Sequence, residues 1–129
     1  MFPIWISLCI ALLLVTAVIH SVGGEVYLLR PLFRKRGNKV LENPLARMIL
    51  RFAWHVTSLS WAVLAVILYA VAFRPGDVIA VTLGTVGLVF GLVGLFDLVA
   101  SKGKHVGWPF LVLIGICALL ALGASNAWH

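Results

Sequence analysis

VIAVTLGTVGLVFGLVGLF, residues 78–96, runs for 19 positions between Asp77 and Asp97 without a single charge. A bilayer hydrocarbon core is about 30 Å thick, and about 20 apolar residues cross it at about 1.5 Å each. Three further stretches meet that requirement. Phe2 to Gly24 precedes Glu25, Phe52 to Phe73 lies between Arg51 and Arg74, and Val106 extends to about Ala127. The reading is therefore an all-α membrane protein, an antiparallel up-down bundle of four transmembrane helices over residues 2–30, 44–73, 77–100 and 106–127.

Composition agrees. Of 129 residues, 63% are hydrophobic and 11% charged, and the mean hydropathy is +1.13. A soluble domain carries about 25% charged residues, so this chain lacks the polar surface to cover a water-soluble globule. Its length allows one domain. The first run lacks a basic start and exceeds the apolar core of a signal peptide, so it is expected to stay as a helix.

Punctuation sets the helix ends. Asn43-Pro44 supplies a capping side chain and a first-turn proline for the second helix. Arg74-Pro75-Gly76-Asp77 reads as a tight turn with Asp77 capping the third helix. Ser101-Lys102-Gly103-Lys104 breaks the chain before Trp108-Pro109 opens the fourth. Short connections favour antiparallel neighbours.

The net charge of +6 is topological information. Arg30, Arg34, Lys35, Arg36, Lys39, Arg47 and Arg51 flank the first connection, and Lys102 and Lys104 lie in the third. Arg74 alone marks the opposite side. Cations collect on the cytoplasmic side, which places the basic loops in the cytoplasm and both termini outside, in a bacterial cytoplasmic membrane. Arg34, Lys35, Arg36 and Lys39 are then positioned against anionic lipid headgroups, and nucleic acid is excluded as a partner.

Helices in lipid associate through small residues and polar contacts. Gly84, Gly87, Gly91 and Gly94 form one stripe on the third helix, expected to pack within the molecule. Arg47, Arg51, His55, Ser58, Ala62, Ala65 and Tyr69 share a face of the second. Trp54 and Trp61 lie on another face, expected to meet lipid or a neighbouring subunit. Trp5, Trp108 and Trp128 suit an aromatic belt. Cys9 and Cys117 read as small apolar fillers.

Intramembrane ionisable residues are costly and mark function or a pair. Counted from the first connection, Glu25 lies ~8 Å, Arg51 ~10 Å, His20 ~15 Å and His55 ~16 Å into the bilayer. Equal depth on antiparallel neighbours predicts a Glu25–Arg51 ion pair and a His20/His55 layer beneath it, with Asp97 and His105 approaching from the same side. Two imidazoles could ligate haem or a transition metal. On a regular helix, however, His20 and Glu25 are five apart and diverge by roughly 140°. The structural alternative makes the histidines hydrogen-bonded core residues, with Ser58 or Thr16 as partners.

Four functional classes follow. The leading one is a non-catalytic subunit or scaffold of a larger membrane assembly, partnered by another membrane protein or a second copy. The next is a haem- or metal-binding redox accessory protein using His20 and His55. A small transporter and a lipid- or quinone-acting membrane enzyme complete the set. In length and span number the chain resembles the small multidrug resistance transporters, whose substrate site is one membrane glutamate on the first helix of a dimer. Glu25 lies too near the end of its helix for that role, so the resemblance stops at size.

Overall fold

In the computed structural model, residues 2–126 are described; Trp128 and His129 lie outside them. The described residues are almost entirely helical. Four helices are long and apolar enough to cross a membrane: Phe2–Arg34, Pro44–Phe73, Pro75–Ser101 and Trp108–Ser125.

The first span differs from the expected regular helix. It begins as α1 (Phe2–Val18), continues as a π-helical segment (Ile19–Leu29) and closes as α2 (Arg30–Arg34). Arg30 N–H donates to the Glu25 carbonyl, five residues back, which is the π register. The segment ends against Pro31, whose ring excludes the carbonyl that a regular helix would place four residues behind it. The span thus runs to Arg34, beyond the expected end near residue 30.

The basic connection holds more structure than a loop. Asn38 Oδ1 accepts from Val40 and Leu41 N–H and caps a short helix, α3 (Lys39–Glu42). Glu42 accepts from Gly37 N–H at 2.8 Å, and Gly37 takes the positive φ of +93° that this turn requires. Asn43 Oδ1 then accepts from Leu45 and Ala46 N–H at the start of α4 (Pro44–Phe73). Arg47 Nε donates to the Leu41 carbonyl, tying α3 to α4.

After α4, a 3-10 turn (Pro75–Asp77) leads into α5 (Val78–Ser101). Asp77 occupies the cap position without capping. Its carboxylate instead takes Arg74 Nε and Nη2 at 2.9 and 2.5 Å, because a guanidinium three residues back offers two charged donors where the backbone offers one neutral one. α5 ends with Lys102 in the left-handed region at φ +53° and Gly103 N–H on the Leu98 carbonyl. α6 (Trp108–Asn126) opens on Trp108-Pro109.

Contacts of any extent between spans join chain neighbours: the first span with α4, α4 with α5, and α5 with α6. The spans form an open row in which the first and the last do not pack together extensively. The α5–α6 interface is the tightest, and glycine is the reason. A Cβ on Gly94 would lie 2.7 Å from Val112 N, one on Gly87 would lie 2.7 Å from Leu119 Cγ, and one on Gly115 would lie 2.6 Å from Gly91 Cα. Gly84 and Gly91 have room for a methyl, with nearest contacts of 3.8 Å. The stripe therefore packs inside the chain, and its closest approach is to Gly115, a residue outside the pattern read from α5.

Candidate functional site

The π-helical segment carries His20, Ser21 and Glu25, and α4 answers them in antiparallel register. His20 Nδ1 is hydrogen-bonded to Ser58 Oγ at 2.9 Å, and Ser21 Oγ to His55 Nδ1 at 2.7 Å. One π turn beyond His20, Glu25 Oε2 accepts from Arg51 Nε at 2.9 Å and Oε1 from Arg30 Nε at 3.2 Å. Three residues of α4 spaced by four and three, Arg51, His55 and Ser58, thus meet three of the π segment.

The register explains how this works. A π-helix has about 4.4 residues per turn, so residues five apart are offset by roughly 50°, and His20 and Glu25 both reach α4. The divergence expected of a regular helix is much reduced.

His55 links the two layers. Its Nε2 lies 3.7 Å from Glu25 Oε2. The ring thus has Ser21 at Nδ1 and the Glu25 carboxylate facing Nε2. His20 is held differently. Its ring stacks on Trp54 at 4.2 Å between centroids, with planes 4° apart, and meets Trp61 edge-on at 4.9 Å. Trp54 Nε1 also donates to the His20 carbonyl at 2.7 Å. Trp54 and Trp61, both part-exposed, therefore also line this layer. An indole N–H inside the membrane needs an acceptor, and the wide π turn presents one.

Gly24 makes the approach of Trp54 possible. A Cβ there would fall on Trp54 Nε1 and Cε2 and lie 2.6 Å from Cζ2. In sequence, Gly24 marks only the end of the charge-free run before Glu25. Its role as the floor beneath an indole is not legible there.

The Nδ1 of His20 and of His55 is each engaged by a serine of the other helix. Among the described residues, no three His, Cys, Asp or Glu side chains come together in a metal-binding group.

Asp97 and His105 form a separate dyad at the same end of the helices. His105 Nδ1 lies 2.5 Å from Asp97 Oδ2, and Asp97 is fully buried. Asp97 Oδ1 and Ser101 Oγ are buried without a protein partner among the described residues. Phe52 stands edge-on to His105 at 6.0 Å and stacks with Phe96 at 6.4 Å. Among the described residues, no hydrogen bond joins this dyad to Glu25.

Arg51→Ala is expected to destabilise the protein by about 1–2 kcal/mol, at the upper end of what intramembrane polar contacts contribute, because it removes Glu25's shorter partner. Lys35→Ala, on the exposed connection, is expected to stay within about 0.5 kcal/mol. Unfolding in detergent distinguishes them, and equal costs would show that the ion pair contributes nothing. Comparison with protein-family models, with curated proteins and with solved structures finds no match to this chain.

Proposed function

We propose that this chain is a non-catalytic subunit or scaffold of a larger membrane assembly, with its polar layer serving to clamp the first span to α4. The observation that carries the reading is mutual satisfaction. Glu25 is engaged by two arginines, each histidine by a serine and the Trp54 N–H by a carbonyl. Between the first span and α4 these side chains are bonded to one another across the interface, which is what a clamp requires.

The open row supports the second half of the proposal. Ala17 is the one buried residue of α1, and Ile4, Trp5, Leu8 and Leu12 are exposed along its length. A partner span or a second copy seated there would extend the row. The charge bias favours basic connections in the cytoplasm and termini outside.

Mild detergent extraction followed by cross-linking tests this. The expected result is a cross-linked species with another membrane protein or with a second copy. Association should persist in His20→Ala, because the histidine lies on the α4 side. A chain that remains monomeric under all extraction conditions would overturn the proposal.

A further inference from the structure

We propose that the cleft between α4 and α5, at the basic end of the molecule, binds an anionic phospholipid. Its phosphate would sit on Arg47 and Arg51, and its acyl chain would follow Met48, Phe52 and Phe96. The cleft measures about 410 Å³, within the range of about 300–1,000 Å³ typical of small-molecule sites. Its wall is divided. Arg47, Arg51 and His55 supply the polar part, and the three apolar side chains supply most of the remainder.

The two guanidiniums are fixed in a way that leaves them available. Among the described residues each is hydrogen-bonded through Nε alone, Arg47 to the Leu41 carbonyl and Arg51 to Glu25. Both lie over the face of Phe33, at 5.9 and 5.2 Å from its centroid. A guanidinium anchored at Nε and backed by a ring presents its terminal nitrogens as a preorganised fork, the geometry that suits phosphate.

Charge complementarity selects the sign of the ligand. Arg30 and Arg51 share the single carboxylate of Glu25. Arg47 has no carboxylate within ion-pair distance among the described residues. The cluster thus carries more positive charge than Glu25 offsets, and a net anion completes it. The ammonium of a zwitterionic lipid would be set against three arginines.

Depth selects a lipid over a free anion. Arg47 lies ~5 Å and Arg51 ~10 Å from the start of α4, spanning the headgroup region and the edge of the hydrocarbon. From there the wall turns apolar toward the stacked pair Phe52–Phe96. A soluble phosphate needs no such wall, whereas an acyl chain does.

The test is native mass spectrometry of the full chain in detergent with phosphatidylglycerol or phosphatidylcholine. Phosphatidylglycerol is expected to be retained preferentially. Arg47→Gln is expected to weaken retention about tenfold, equivalent to about 1.4 kcal/mol. Ala100→Phe leaves every charge in place while filling the cleft, and is expected to weaken it comparably; it carries the test should Arg47→Gln fail to fold. Lys104→Gln, which removes a charge at the same end outside the cleft, should retain the lipid as wild type does. Millimolar inorganic phosphate should not displace the lipid. Equal retention of the two lipids, equal effects of Arg47→Gln and Lys104→Gln, full retention by Ala100→Phe, or displacement by inorganic phosphate would each overturn the proposal.

Discussion

Gly115→Ala is expected to destabilise the protein by about 3 kcal/mol, the upper part of the range for overpacking a tight interface. The added Cβ would lie 2.6 Å from Gly91 Cα, 2.7 Å from Gly91 N and 2.9 Å from the Gly87 carbonyl oxygen. All three are backbone atoms, so no rotamer change relieves the contact and α5 must move away from α6. In lipid, helix association rests on such close packing, and the displacement forfeits contacts along both helices. Gly123→Ala on the same helix is the control. A Cβ there meets nothing within 4 Å, and replacing glycine in a helix gains up to about 1 kcal/mol. Thermal unfolding of the two variants in one detergent should separate them in opposite directions. Similar unfolding temperatures would mean that the Gly87–Gly91–Gly115 contact does not hold the helices together.

Gly24→Ala is expected to cost about 2–3 kcal/mol by a different route. Here the obstacle is the Trp54 side chain, which has to leave its place. With it go the parallel stack on His20 and the hydrogen bond to the His20 carbonyl. The neighbouring Gly23→Ala should be close to neutral, because its nearest contact is Ile19 Cγ2 at 4.0 Å. The diagnostic measurement is non-additivity. In a Trp54→Ala background the space is vacant, so Gly24→Ala should add little further loss. Additive costs would show that Trp54 does not rest on Gly24.

These two glycines mark what the sequence does and does not reveal. Gly87-x-x-x-Gly91 is visible as a small-residue pattern, and its stripe does lie against α6. Which glycine is sterically indispensable depends on the crossing point, and Gly115 acquires its role only when α6 is laid against α5. The four spans were legible because hydropathy over about 20 residues directly reflects the bilayer. Depth counting likewise brought Glu25 opposite Arg51. It could not anticipate the π register, because Pro31 signals a break in the regular hydrogen bonding but not how the preceding turns respond to it. A regular register turns His20 and Glu25 apart by roughly 140°, whereas the π segment brings both to α4. Asp77 shows the same limit on a smaller scale, since its choice between a cap and Arg74 is decided by geometry that the turn sets.

The open row also bears on how the protein assembles in the bilayer. Its strongest interfaces pair the first span with α4 and α5 with α6, while α4 and α5 share a sparser seam that includes the cleft. Each strong interface joins segments consecutive in the chain, so each is a helical hairpin able to form once its own two segments are in the membrane. Local contacts of this kind form early, and weakly packed boundaries open first. The molecule is thus two hairpins with separate locks, ion pairs and indole in one and interleaved glycines in the other. The seam between them is where it can flex without unmaking either.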